Sequence, residues 1–138
     1  MLDVVTLLVT QLNPQDALWL EVDGLLKLSE LDDKTPKRLP KLYVIEMSER
    51  AKPDVRGSGP YLQTVQLELG VVVVMASING QQPSLTPIRK QVRERLFGWR
   101  PHIDAEPLAL AGGSLLKISS HYVAWLDRFI TEYTEDAH

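Results

Sequence analysis

Between Tyr61 and Met75 the chain changes its hydropathy pattern within a single run. Thr64, Gln66 and Glu68 alternate with Val65, Leu67 and Leu69, after which Val71 to Val74 are apolar on both faces. Successive strand side chains point to opposite faces, so this pattern predicts a strand that starts half exposed and ends in the core. Such a strand needs a sheet around it and packing elements against that sheet.

The rest of the chain supplies candidates for both. Leu2, Val5, Leu8, Val9 and Leu12 recur at helical spacing, and Asn13-Pro14 stops the helix because the residue before proline is pushed out of the α region. Leu18 to Val22, with Trp19, reads as a short strand closed by a turn at Asp23-Gly24, and Leu25, Leu26, Leu28 and Leu31 allow a short helix. Asp32 to Pro40 is predicted as an exposed connection. Lys41 to Met47 alternates as a second strand, Leu42 and Val44 against Tyr43, Ile45 and Met47.

Ser48 to Pro60 combines Arg50, Lys52 and Arg56 with two glycines and two prolines, which predicts a long mobile loop. Ser77 to Pro83 is a turn-rich link. Thr86 is placed to cap a helix with Pro87 in its first turn, Leu85, Ile88, Val92 and Leu96 forming its buried stripe and Gly98 its left-handed stop. Gly112-Gly113 has the composition of a two-residue hairpin turn between Leu108 to Ala111 and Ser114 to Ile118. Tyr122 to Thr134 is the longest strand, with Val123, Trp125, Phe129 and Tyr133 on one face and Leu126 and Ile130 on the other. The expected fold is α+β: a mainly antiparallel mixed sheet packed by two main helices and ending in a three-strand meander.

Length and composition fit a single soluble domain over residues 1–138, with 44% hydrophobic and 24% charged residues. The absence of cysteine excludes a disulfide framework and thiolate metal sites. Residues 2–12 are interrupted by Asp3, Thr6, Thr10 and Gln11 and read as neither signal peptide nor membrane span. The net charge of −3 conceals an asymmetry: residues 1–33 carry one base and seven acids, 34–100 twelve bases and five acids, and 101–138 two bases and six acids. A basic middle between acidic ends suits either nucleic-acid binding or a self-complementary oligomer. The oligomer is favoured, because the chain has neither a basic pI nor a recognisable nucleic-acid-reading motif.

Catalytic and cofactor chemistry finds little support. His102, His121 and His138 lie far apart without ligand spacing, and no serine sits in a G-x-S-x-G elbow, so no metal, cofactor or nucleophile is assigned and no enzyme is expected. Arg56-Gly57-Ser58-Gly59 has the makings of a phosphate cradle, against the plainer reading of a loop tip. Arg89, Lys90, Arg93 and Arg95 suit a nucleic-acid face, against the commoner solvated helix side. Trp99, Trp125, Phe129 and Tyr133 suit a base-stacking platform, against core packing.

Set in order, these pieces resemble the tail terminator family of long-tailed bacteriophages over nearly the whole chain. The likeness rests on the early Leu-rich helix, Val22-Asp23-Gly24, Leu39-Pro40 leading into Tyr43-Val44-Ile45, and the glycine-containing loop before the valine strand. It continues with Leu96-Phe97-Gly98-Trp99-Arg100-Pro101, Pro107-Leu108, Gly112-Gly113-Ser114-Leu115-Leu116 and Trp125-x-x-x-Phe129-x-Thr131-x-Tyr133. The resemblance implies a non-catalytic subunit that closes into a six-fold ring, stops tail-tube polymerisation and offers its opposite face to the neck of the capsid. Implied partners are further copies of itself, the tail tube protein and a neck or head-completion protein, with no membrane and no specific nucleic acid. The implied location is the virion tail, reached from the host cytoplasm during assembly.

Composition, not the family, makes Arg50, Lys52, Arg56, Arg89, Lys90 and Arg93 the candidate interface residues. Another head-tail connector or tail completion protein is the neighbouring alternative, and a nucleic-acid-binding module the more distant one.

Overall fold

The computed structural model describes residues 1–32, 38–77, 81, 83–119 and 121–137. Its strands form one five-stranded sheet in the order β1-β2-β3-β5-β4, built from β1 (Glu21–Leu25), β2 (Lys41–Ala51), β3 (Leu62–Ala76), β4 (Ala109–Ile118) and β5 (Tyr122–Asp136). β1 runs parallel to β2 and every other pairing is antiparallel, so the arrangement is α+β with a mixed sheet. Two helices, α1 (Val4–Gln11) and α2 (Thr86–Leu96), complete the main elements, with a 3-10 helix at Leu28–Asp32.

The hydropathy switch in β3 is realised as expected. β3 pairs along its length with β5 on one side and with β2 on the other, and Leu69 to Val74 are buried on both faces. The helix-covered face joins Leu42, Val44, Leu69, Val71 and Phe129 to Leu8 of α1 and to Ile88, Val92 and Leu96 of α2. The opposite face holds a smaller cluster of Tyr43, Ile45, Val72, Val74, Ala124 and Leu126, packed by Leu28, Leu31 and Leu39. Gly70 permits this crowding: an added Cβ would lie 2.6 Å from a Leu126 methyl and 3.1 Å from Ile45.

Five expectations are corrected. Gly112-Gly113 does not turn a hairpin: β4 runs straight through it, and Gly112, at φ 107°, absorbs a bulge in the β4–β5 pairing. The reversal comes instead after Ile118, where the Ser119 hydroxyl accepts the His121 and Tyr122 amides, so the meander has two strands and not three. Asp23-Gly24 is likewise inside a strand, pairing with Tyr43-Val44, because Gly24 is needed where Val5 of α1 approaches to 3.1 Å of an added Cβ. Thr86 does not cap α2; Leu85 occupies that position without a side-chain cap bond. β2 reaches Ala51, so the expected mobile loop shrinks to residues 52–61 and is tied down as described below.

Other boundaries agree with the expected pattern. Asp3 caps α1 by accepting the Thr6 amide, and Gly98 follows α2 at φ 80°. The expected exposed connection at 32–40 and the link at 77–83 fall largely outside the described residues. Ser77 does belong to the fold, its amide donating to His121 and its hydroxyl to the Gln81 carbonyl.

Candidate functional site

The late sequence motifs converge into one internal scaffold. After α2, the Gly98 amide donates to the Leu108 carbonyl at 2.8 Å and the Leu108 amide to the Trp99 carbonyl at 2.9 Å, clasping the helix stop to Pro107-Leu108. The Glu106 amide donates to the Glu132 carbonyl, and the buried Thr131 hydroxyl donates to the Glu106 carbonyl. Phe129 and Tyr133 face the helix-side core. Hence these residues hold the segment 98–108 against β5, and the base-stacking reading fails because Phe129 and Tyr133 are buried. Burial pushes the Tyr133 phenol up to about 12, with Glu49 and Glu135 adding repulsion against its ionised form.

The basic helix is equally divided in purpose. Arg89 grips Asp127 of β5 with both ends of its guanidinium, Nε to Oδ2 at 3.0 Å and Nη2 to Oδ1 at 2.9 Å, where Asp127 is only 1% exposed. Trp125 donates its indole N–H to the same carboxylate at 3.1 Å, and the Arg89 guanidinium lies 4.4 Å over the Trp125 ring. Gly113 makes room for this node, since a Cβ there would come within 2.7 Å of Asp127 Oδ1 and 3.0 Å of Trp125 Nε1. Arg93 reaches Asp127 at 3.7 Å. One buried carboxylate therefore serves two guanidinium groups, and positive charge remains in excess there.

Arg95 is also structural: it covers the Trp19 ring at 4.8 Å and donates to the carbonyls of Asn13 and Gln15, pinning α2 to the chain after α1. A continuous nucleic-acid face of four bases is thus not formed. Lys90 is exposed and, among the described residues, has no ion-pair partner. With Thr86, Arg89, Arg93, Glu94 and Phe97 it lines a groove of about 390 Å³ on the outer side of α2.

The loop at 52–61 is bound to its own sheet. Lys52 pairs with Glu132 at 2.6 Å and Arg56 with Asp136 at 2.9 Å, while Arg56 also donates to the Pro60 carbonyl. The amides of Arg56, Gly57 and Leu62 all donate to the Asp54 carboxylate, so the proposed phosphate cradle already holds an internal anion. Those bonds, chiefly the one from Leu62, hold the Asp54 carboxyl below its ordinary range against the opposing effect of burial. Arg50 stands exposed on β2 opposite Gln66. The six candidate cations therefore split into loop pairs, an exposed position on β2, a clamp on a buried carboxylate and the α2 surface, with no common site.

One region escaped the sequence reading. β1 covers β2 only from Lys41 to Ile45, so the stretch from Glu46 onward has no strand on its outer side among the described residues. The step opens into a recess of about 760 Å³ bordered by α1 and the turn after β1, with Asp3, Glu30, Glu46 and Glu49 on its walls. Those carboxylates are spread over 47 positions of sequence, so only the pairing register exposes them as a group. Leu26 on its rim is 91% exposed.

Among the described residues no group of three or more His, Asp or Glu side chains is gathered as a metal site, and no helix is long and apolar enough to cross a membrane. Comparison with curated proteins gives no match. The family model of the phage tail terminator protein matches residues 1–137, and the chain belongs to that family of phage tail assembly proteins.

Proposed function

We propose that this protein caps the head-proximal end of the phage tail tube, stops its polymerisation and presents a surface for head-tail joining, as a homo-oligomeric ring of six copies in the virion tail. The family match over residues 1–137 carries the reading. The ring would copy the tube's end-on interface on one face and lack it on the other, so further tube subunits find no template. The neck or head-completion protein would then meet the face turned away from the tube. No catalytic step is needed. The fold suits this role because its chemistry-bearing side chains are spent on internal clamps such as Arg89–Asp127 and Lys52–Glu132, leaving separated charged surfaces for protein contacts.

Deleting the gene tests the assignment. Overlong or uncapped tubes are expected, whereas tails of normal length that fail to join heads would transfer the protein to the head-tail connectors or tail completion proteins.

A further inference from the structure

The two surface recesses lie at opposite edges of one sheet. α1 packs on β1 and β2, where the acidic recess opens, while the Arg89–Asp127 clamp fixes α2 near β5 and β4. Five strands at about 4.8 Å spacing separate the edges by about 19 Å. The acidic recess carries four carboxylates and no base; the α2 groove carries three bases and one acid, and with Asp127 set against Arg89 and Arg93 it still keeps an excess of positive charge. Each also has an apolar feature: Leu26 protrudes at the acidic rim, and Phe97, 58% exposed, borders the basic groove.

We propose that these surfaces are the two halves of one joint, in which the acidic recess and Leu26 of one copy dock against the α2 groove and Phe97 of the next. This rests on the ring reading above and names its side-to-side contact. The occupant is a second copy because both complementary halves are present on a single chain. Surfaces at opposite edges make the contact heterologous, so each copy uses one half toward each neighbour, and such contacts close into rings when the rotation permits. Charge sets the orientation: recess against recess or groove against groove brings like charges together, whereas recess against groove pairs Glu46 and Glu49 with Lys90 and Arg93. Leu26 and Phe97 supply apolar burial that charge alone does not.

The absence of native cysteine makes thiol cross-linking a clean test. Leu26→Cys and Phe97→Cys are placed on separate molecules, each checked for folding by circular dichroism, then mixed at high concentration and low salt and oxidised. A mixed disulfide dimer should form about tenfold faster than either self-dimer, and this advantage should fade in 1 M salt, where screening shortens to about 3 Å. The double variant should give a ladder ending in a closed covalent ring. Adding Glu46→Lys and Glu49→Lys to the Leu26→Cys chain should abolish the advantage, and Lys90→Glu with Thr86→Glu on the Phe97→Cys chain should restore it.

Mixed dimers no faster than those of Leu26→Cys with Ser58→Cys, a control at the tip of the 52–61 loop, would overturn the joint. The same chains are then mixed with tail tubes and imaged. Capped tubes without the Leu26–Phe97 cross-link would reject this joint while leaving the terminator reading intact; tubes left bare by the unsubstituted protein, together with no cross-link, would remove both.

Discussion

Asp127 is enclosed in the protein with two guanidinium groups against it and an indole N–H on one oxygen. Removing one partner of a buried ion pair leaves the other charge without compensation, at a cost of about 3–5 kcal/mol. Because the Arg89 side chain keeps 24% of its surface exposed and can partly hydrate, Asp127→Ala should lower the unfolding free energy in urea by less than that, about 2–3 kcal/mol; a loss below about 1 kcal/mol would contradict this. Gly113→Ala attacks the same node sterically and should cost about 1–3 kcal/mol, because the Asp127 carboxylate and the Leu126 carbonyl both crowd the new methyl group. Tyr133 reports on burial in another way. Its folded-state pKa is raised from 10.0 to about 12, so the stability it contributes is complete below the unfolded value and is lost as pH rises toward 12. Tyr133→Phe should flatten the fall in stability between those pH values, as measured by alkaline denaturation. An unchanged slope would mean that the phenol ionises in the folded protein without penalty.

At the scale of elements, the loop at 52–61 depends on a carboxylate. Because the Asp54 pKa is lowered by hydrogen bonds to the anion, its contribution is present above the ordinary carboxylate range and lost as pH falls through the folded value. Protection factors of the Gly57 and Leu62 amides, measured against intrinsic exchange at each pH, should thus fall on acidification below about pH 4, and Asp54→Ala should produce the same loss of protection at neutral pH. Equal protection in both proteins would contradict this account of the loop. The elements that sequence made legible are those whose signal is local and repetitive: the β3 switch, the α2 stripe of Ile88, Val92 and Leu96, and the Gly98 stop. Glycine misled where its purpose was tertiary. Gly24 admits Val5 of α1 and Gly113 admits the Asp127 carboxylate, neither of which has any mark in the neighbouring residues. The candidate site was legible to the same extent. Lys90 and Arg93 could be picked out as a helix face, but the partner of Arg89 lies 38 residues away in β5, and the acidic recess exists only because β1 ends before β2 does.

For the whole molecule, the sheet orders its charges spatially as well as along the chain. Acidic groups gather where α1 meets the part of β2 that has no strand on its outer side among the described residues, and basic groups gather on α2, so in the proposed joint one subunit would carry both halves of a heterologous contact. The most direct measurement is electron microscopy of the purified protein mixed with tail tubes. The account predicts density at one end of each tube, six-fold in projection, and no growth from that end when tube subunits are added. Tubes that stay bare at both ends, or that continue to elongate past the bound protein, would contradict it.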